Sequence, residues 1–269
     1  MKILKHTGLG LVVSLLVSQV AMAEGDSAQD IAKKLANPVA AMISLPMQMN
    51  YSQGYGPNDN GDQYLMNIQP VIPFSLNDDW NLISRTILPV VRRDDIPNGR
   101  GVQGGIGDVV QSLFLSPSQV EAGDWIWGVG PVFMLPTGTN DLSIEKWGAG
   151  PTAVMLKQDG PWTYGGLANH IWSVGGSDDV VDDISQTFLQ PFLSYSTQSG
   201  LTYTALTEST YDWKNEQWTV PLILVANQLD KIGNQMVSYG GGITYYADAP
   251  NGGPEGFAFR LVFTLLWPK

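Results

Sequence analysis

Large apolar and small or polar residues alternate along the last strand-length segment of the chain. In GFAFRLVFTLLW at 256–267, every second residue from Phe257 onward is large and apolar, and Ala258, Arg260 and Thr264 lie between them. Successive side chains of a β-strand point to opposite faces of the sheet. The pattern therefore predicts a strand with lipid on one face and a polar lumen on the other.

Comparable segments recur along the chain. A strand of a bacterial outer-membrane barrel spans about 9–11 residues, and the number of strands is even. Twelve segments of suitable length are found at 41–51, 63–74, 80–91, 105–115, 125–135, 146–157, 161–173, 186–196, 201–210, 217–226, 235–246 and 256–267. They predict an all-β fold, an antiparallel transmembrane β-barrel of about 12 strands that occupies residues 41–269.

The connections between these segments alternate in length and polarity. The longer ones, rich in Asp, Asn and Gly, are 52–62, 92–104, 136–145, 174–185 and 248–255. Most of the others are tight turns, with 116–124 and 227–234 as exceptions. Outer-membrane barrels have short periplasmic turns and longer outer loops. We therefore expect both termini on the periplasmic side.

Proline and tryptophan qualify this prediction. Several prolines fall inside proposed strands, although proline has no N–H to donate to a β-ladder; among them are Pro46, Pro70, Pro89, Pro131, Pro151, Pro191 and Pro221. They mark bulges and rims, or they kink the wall inward or open it sideways. The nine tryptophans lie mainly near segment ends, which favours an interfacial aromatic girdle over the capping of a soluble core.

The amino terminus has the pattern of an export signal. Lys2 and Lys5 precede an apolar run at 9–17, and Ala-Met-Ala at 21–23 resembles a cleavage site. Residues 1–23 are thus predicted to be a cleaved signal peptide, and the protein is predicted to be exported to the outer membrane. In the segment 24–40, a short helix is expected near residues 27–37. It would plug the periplasmic mouth or lie against it, and a frayed leader is the alternative.

Charge and cysteine content exclude several functions. Without residues 1–23 the chain keeps 12 Lys and Arg against 25 Asp and Glu, a net charge of −13. Its one concentrated basic pair, at 92–93, is followed at once by two aspartates. Nucleic-acid binding needs a basic surface, so no nucleic-acid partner is predicted. The chain has no cysteine, which leaves no thiol nucleophile and no Cys-type metal site.

An enzymatic function has little support in the sequence. His170 is the single histidine that remains after signal cleavage. Ser173 lies three positions further on and therefore points to the opposite face of a strand. Neither a Gly-x-Ser-x-Gly nor a His-Glu-x-x-His motif is present. We predict no enzyme and no cofactor, with a lipid-acting barrel enzyme as a remote alternative.

Acidic residues cluster in the proposed outer loops. Four aspartates fall within six residues at Asp178, Asp179, Asp182 and Asp183, and a second polar group lies at 58–62. Carboxylates on such turns can bind Ca²⁺ or share a divalent cation with lipopolysaccharide phosphates. The spacing matches neither the EF-hand loop nor the glycine-rich nonapeptide repeat. Solvated loop charge is therefore the preferred interpretation, and no metal site is predicted.

Polar residues predicted on the inner face are the candidates for lumen or selectivity residues. Arginine facing lipid near the membrane midplane costs about 2–4 kcal/mol, so Arg85 and Arg260 are expected to face inward, lie at a rim, or pair with a carboxylate. The candidates are Gln48, Asn50, Asn67, Gln69, Arg85, Glu208 and Arg260. They would control an open lumen, or their charged members would form a network that plugs a narrow one.

Several longer stretches resemble one protein family. They are NPVA at 37–40, ISLP at 43–46, NIQPVIPFSLNDDWNLISRTILPV at 67–90, GIGDVVQSLFLSP at 105–117, WGVGPVFMLPTGT at 127–139, FLQPFLSY at 188–195 and LLWPK at 265–269. The family is the Gram-negative outer-membrane transporters called MetA-pathway phenol-degradation proteins and, misleadingly, neuromedin U. The resemblance implies an outer-membrane barrel that passes small or aromatic solutes. It transfers no catalytic residue.

Together these observations predict a channel or transporter that passes small, hydrophobic or aromatic solutes by passive diffusion. A closed structural or adhesive outer-membrane barrel is the alternative. The expected partners are outer-membrane lipid and lipopolysaccharide, a small-molecule solute, and the barrel assembly machinery through the C-terminal strand.

Overall fold

The computed structural model describes residues 26–96, 101–121, 123–139, 142–176 and 183–267. The predicted signal peptide lies outside the described residues. Within them, one helix precedes fifteen strands: α1 (Ala28–Leu35), β1 (Ile43–Tyr55), β2 (Gly61–Ile68), β3 (Val71–Ser75), β4 (Trp80–Asp94), β5 (Gln103–Ile106), β6 (Val109–Pro117), β7 (Trp125–Leu135), β8 (Lys146–Asp159), β9 (Trp162–Gly176), β10 (Ser185–Ser196), β11 (Leu201–Thr207), β12 (Ser209–Asp212), β13 (Gln217–Ile232), β14 (Gln235–Asp248) and β15 (Gly256–Trp267). No helix in the described ranges is long and apolar enough to cross a bilayer.

The strands form one closed antiparallel barrel. β15 pairs with β1 in an unbroken register from Ile43 opposite Trp267 to Tyr51 opposite Phe259, which closes the sheet. Three predicted strands are each split into two segments that share a neighbour: β2 and β3 both pair with β4, as do β5 and β6, and β11 and β12 both pair with β10. The fifteen segments therefore form the twelve strands that the sequence predicted, and the fold class is confirmed.

Proline explains part of the irregularity of the wall. Pro70 lies between β2 and β3, and Pro221 lies at a register shift in the pairing of β13 with β14. Pro131 and Pro151 face each other across β7 and β8, and the ladders that flank this pair, to β6 and to β9, are both interrupted there. These prolines thus occupy positions where the hydrogen-bond ladder already lacks a partner, because proline has no N–H to supply.

The barrel wall has an apolar outside and a more polar inside. On β15, Phe257, Phe259 and Leu261 are more than half exposed, whereas Arg260 and Thr264 are buried in the interior. The alternation predicted from the sequence is therefore present in the structure. Seven of the nine tryptophans are exposed near strand ends, as expected for two aromatic girdles: Trp125, Trp147, Trp162, Trp172, Trp213, Trp218 and Trp267.

Several strand boundaries differ from the predictions. β1 continues to Tyr55, so the first connection is 56–60 instead of 52–62. β13 continues to Ile232, which turns most of the apparent loop at 227–234 into strand. Polar residues at these positions project from strand ends, and the sequence pattern alone does not separate them from loop residues. We call the end of the barrel at Ile43 and Trp267 the terminal end, and the end at connections 56–60 and 249–255 the loop end.

The N-terminal segment enters the barrel at its terminal end. Ser27 caps α1 by accepting a hydrogen bond from the Asp30 backbone, and the Asp30 side chain accepts one from the Ser27 N–H. This reciprocal arrangement satisfies two N–H groups that the first turn of a helix otherwise leaves free. The helix ends at Leu35, and Pro38 prevents its continuation. Residues 36–42 then lead directly into β1.

Candidate functional site

The segment from α1 to Met42 fills the terminal end of the lumen; we call residues 28–42 the plug. Val39 packs with the buried wall residues Ile83 and Phe114, and Ile31 and Met42 pack in a second buried cluster. Apolar burial of this kind is the main source of stability in folded proteins. The short helix, which would not be stable alone, is therefore held by the wall.

Two hydrogen bonds also fix the plug to the wall. The Gln29 side chain donates to the carbonyl of Ser196 at 2.6 Å, and the Gln158 side chain donates to the carbonyl of Lys33 at 2.8 Å. Both partners lie in strands, β10 and β8. Of the two placements predicted for this segment, the structure has it inside the mouth.

A cavity of about 250 Å³ lies in the middle of the lumen, beyond the plug. Six amide side chains supply much of its polar lining: Gln48, Asn67, Gln69, Asn169, Gln186 and Gln190. Five apolar side chains cover another part of its surface: Ile87, Val110, Met134, Ile171 and Phe188. Arg85 and Glu208 also line the cavity. We call it the central cavity. Its mixed lining can hold a small molecule that has both a polar and an apolar part.

One ion pair crosses the interior beside the central cavity. Arg260 donates to both carboxylate oxygens of Glu208, at 2.9 and 2.7 Å, and its Nε donates to the side-chain oxygen of Asn50 at 2.7 Å. Arg260 is 6% exposed and Glu208 is 24% exposed. A two-point pair of this geometry is short and charge-assisted. It satisfies the predicted requirement that Arg260 face inward or meet a carboxylate.

Arg85 occupies the boundary between the central cavity and the plug. Its guanidinium donates to the side-chain oxygen of Gln69 at 2.9 Å. Arg85, Gln69 and Gln190 line both the central cavity and a second cavity of about 150 Å³ beside the plug. These three side chains therefore lie between the two cavities, where a solute moving along the lumen would meet a cation and two amides.

All seven predicted lumen residues lie in the interior, and five of them line the central cavity itself. Asn50 and Arg260 adjoin it through their contacts with each other and with Glu208. Sequence reasoning missed Gln186 and Gln190, which share an inward face of β10 with Phe188. On that face glutamine alternates with phenylalanine, so the mean polarity of the face did not indicate a lumen position. The two glutamines and the phenylalanine do lie at every second position, as residues on one face of a strand must.

Of the four aspartates in the acidic loop, Asp183 lies within the described residues, and Asp178, Asp179 and Asp182 lie outside them. The Asp183 carboxylate accepts hydrogen bonds from Ser173 at 3.0 Å and from the buried Lys146 at 3.4 Å. The Ser173 hydroxyl, followed by Lys146, holds the pKa of Asp183 below its ordinary value. Asp183 thus links the residues just before β10 to β8 and β9. Among the described residues, no group of three or more His, Asp or Glu side chains could hold a metal ion.

A polar and aromatic group lies on the outer face near the loop end. His170 Nδ1 is 2.7 Å from the Thr187 hydroxyl, which also accepts a hydrogen bond from Trp213 at 2.8 Å. Ser185 Oγ is 3.5 Å from His170 Nε2. His170 and Ser173 are not in contact here, in keeping with the prediction that they point to opposite faces of the strand. Both hydroxyl groups come from the neighbouring strand β10 and are distant from His170 in sequence.

An apolar groove of about 700 Å³ lies on the outside of the wall where β11 ends and β12 begins. Leu193, Leu222 and Leu224 line it and are exposed. Phe192 and Leu206 line this groove and also a cavity of about 220 Å³ inside the barrel, next to the plug. The groove and this cavity therefore lie on opposite sides of the sheet at the same place, where Phe192 of β10 pairs with Leu206 of β11.

No protein-family model matches the chain. No curated protein matches it either. Solved structures do match. The COG4313 outer membrane channel from Pseudomonas putida F1 is similar with a TM-score of 0.66 at 16% identity, over 84% of this chain and 96% of that one. Outer membrane phospholipase A from Escherichia coli has a TM-score of 0.51 at 12% identity, over 91% and 99%. At these identities the likeness shows the fold, an outer-membrane-type barrel.

Proposed function

We propose that the protein is an outer-membrane channel that passes small solutes through its lumen by passive diffusion, with the loop end outside the cell and the plug on the periplasmic side. The observation that carries this proposal is the central cavity, a polar and partly apolar space enclosed by a wall whose outer face is apolar. The fold that it shares with the P. putida channel supports the proposal. So does the resemblance of its sequence to the MetA-pathway phenol-degradation proteins.

In the described state the plug closes the terminal end, so transport requires the plug to shift. Its apolar contacts with Ile83 and Phe114 hold it in place, whereas its polar contacts with the wall are few. A segment joined to β1 at one end can swing without leaving the barrel. The closed state then limits the leak of water and ions, and the open state passes solute.

Apolar solutes have a second route in this proposal. The outer groove would collect them from the membrane, and a local separation of β10 from β11 at Phe192 and Leu206 would let them pass inward. The single-residue interruption at Glu208, between β11 and β12, weakens the wall at the same level. Aromatic and aliphatic solutes are therefore included in the proposed substrate range. Lipopolysaccharide around the wall and the barrel assembly machinery at β15 remain the proposed partners.

A pair of tryptophan substitutions tests whether the lumen is the route. Gln190 lines the three interior cavities described above, and its chain neighbour Leu189 is exposed on the outer face. Protein refolded in lipid and confirmed as a heat-modifiable barrel would be compared by single-channel conductance and by liposome swelling with small aromatic solutes. We expect Gln190→Trp to reduce both, and Leu189→Trp to leave both unchanged.

A closed structural or adhesive barrel gives a different result. The unmodified protein would then fold as a heat-modifiable barrel with no current and no solute uptake under any tested potential. Equal currents in Gln190→Trp and in the unmodified protein would also contradict the proposal, because the solute would not then pass the central cavity.

The arrangement on the outer face favours a second candidate function, a lipid-acting enzyme. Thr187 would orient His170, and Ser185 is within reach as a nucleophile at the loop end, where outer-leaflet lipid would lie. At 3.5 Å the contact between nucleophile and base is longer than in a formed catalytic pair. Phospholipid turnover by the purified barrel, abolished by Ser185→Ala and by His170→Ala, would establish this activity. Absence of turnover would remove it.

A further inference from the structure

The charged side chains beside the central cavity leave one positive charge without a carboxylate partner. Arg260 and Glu208 neutralise each other through two hydrogen bonds. Arg85 has no ion pair within the part of the chain that the structure describes, where its guanidinium donates a hydrogen bond to the neutral amide of Gln69. A guanidinium has five N–H donors in a planar fork, so most of those of Arg85 are available to a ligand.

The surroundings of Arg85 restrict the charge of such a ligand. Arg85, Arg260 and Glu208 together leave a net charge of +1 at the cavity, which one negative charge of a ligand would balance. The six amides around the cavity can donate hydrogen bonds to oxygen atoms without adding charge. A singly charged anion fits this arrangement, whereas a phosphate monoester or a dicarboxylate would bring in a further negative charge that no side chain at the cavity balances.

The rest of the cavity restricts the body of the ligand. Ile87, Met134 and Phe188 offer apolar surface in the same cavity. The volume of about 250 Å³ is below the 300–1,000 Å³ that is usual for sites of drug-sized ligands. The ligand must therefore be small and carry a short aliphatic or a single-ring aromatic group.

We propose that the central cavity is a binding site for small amphipathic monocarboxylates, with Arg85 as the carboxylate-binding residue and the apolar side chains at Ile87, Met134 and Phe188 holding the hydrocarbon body. The proposal rests on the proposed channel function, because it names the solute class that the lumen selects. Arg–carboxylate pairing is bidentate and directional, so the same site discriminates against a neutral alcohol of equal size.

The test measures binding before transport. Fluorine NMR would follow para-fluorobenzoate, para-fluorobenzyl alcohol and para-fluorobenzylammonium on the intact mature protein in lipid nanodiscs. We expect the carboxylate to bind at least tenfold more tightly than the alcohol, and the ammonium ion not to bind. Equal binding of carboxylate and alcohol, or no binding of the carboxylate, would overturn the proposal without any variant having to fold.

Substitution then locates the site. Arg85→Gln should weaken para-fluorobenzoate binding at least tenfold, and Arg85→Lys should retain part of it as a point charge. Lys231→Gln removes the same charge from an exposed position at the terminal end and should change nothing. Unchanged binding in a folded Arg85→Gln barrel would overturn the assignment.

Transport separates this proposal from the channel function on which it rests. Liposome uptake should be faster for benzoate than for benzylammonium, and Arg85→Gln should remove the difference. A protein that binds the carboxylate and takes up no solute would contradict the channel and support the site. A protein that conducts but does not bind the carboxylate would contradict the site and support the channel.

Discussion

Removing the charge of either Arg260 or Glu208 alone should destabilise the barrel more than removing both charges together. Arg260 is 6% exposed, and Glu208→Gln leaves its charge without a counter-ion in the interior. Breaking a fully buried pair costs about 3–5 kcal/mol, and we expect about 3 kcal/mol because Glu208 retains 24% exposure. Arg260→Met, which strands the Glu208 carboxylate, should cost a similar amount. The double variant should cost much less than the sum, with a coupling of about 2 kcal/mol.

The measurement is a double-mutant cycle of unfolding free energies, followed by tryptophan fluorescence in urea with the protein in lipid vesicles. The matched control is the more exposed pair of Arg92 and Asp62, whose side chains are 49% and 32% exposed and whose nearest charged atoms are 3.8 Å apart. Solvent screening limits such a pair to a coupling of about 0–1 kcal/mol. If the costs at Arg260 and Glu208 simply add, or if the exposed pair couples as strongly, the reasoning from burial is wrong.

Three further outcomes follow from the described contacts. Leu261→Arg places a charge in the middle of the outer face of β15 and should lower the free energy of unfolding by about 2–4 kcal/mol in the same urea assay. An unchanged free energy of unfolding would show that this face is not in lipid. Phe114→Ala removes a fully buried ring that packs with the plug. It should lower the free energy of unfolding by about 3–5 kcal/mol and raise the basal conductance. An unchanged conductance would show that packing of the plug does not limit the current. The Ser173 hydroxyl and Lys146 lower the folded-state pKa of Asp183 below 3.8, so Asp183 contributes stability above that value and loses it as the pH falls through the lowered pKa. Ser173→Ala should raise the pKa toward 3.8 in a carboxyl NMR titration, and an unchanged pKa would contradict the assigned cause.

The sequence predicted the wall better than the lumen because the two depend on contacts of different range. The alternation in β15 is a local pattern of period two, because lipid outside the barrel requires an apolar residue at each outward-facing position. The number of strands follows from the same local pattern. The splits at Pro70 and Glu208 were not predicted, since a break of one or two residues leaves the alternation on either side intact.

The contacts inside the barrel join residues that are far apart in sequence. Arg260 meets Asn50 across 210 positions and Glu208 across 52. Each residue could be assigned to the inner face from its neighbours along the strand. Which of them pair depends on barrel closure and on the stagger of the strands, and neither is visible in the local pattern. Only the structure therefore shows that Arg260 is paired with a carboxylate whereas Arg85 is not.

The plug shows the same limit. The cap at Ser27 and the stop at Pro38 predicted the helix, but its position inside the mouth depends on packing with Phe114 and Leu229, which come from distant strands. A short amphipathic helix fits equally well against an outer surface. Sequence reasoning therefore left both placements open, and contacts with the wall decided between them.

The most direct test of the account is a reversible tether on the plug. A Cβ atom at Gly200 would lie 3.4 Å from Cβ of Ala28, close to the 3.5–4.5 Å found across disulfides. The chain has no cysteine of its own, so Ala28→Cys with Gly200→Cys would form one defined bond. Gly200 has a φ of +79°, so the cysteine there costs about 1–2 kcal/mol, and each single variant serves as a control.

Because Ile43 already belongs to the wall, the oxidised tether fixes the plug at both ends. We expect single-channel conductance and solute uptake to be low in the oxidised double variant and to return to the level of the unmodified protein after reduction. Equal conductance in the two redox states would contradict it, since solute would then cross the barrel without any movement of the plug.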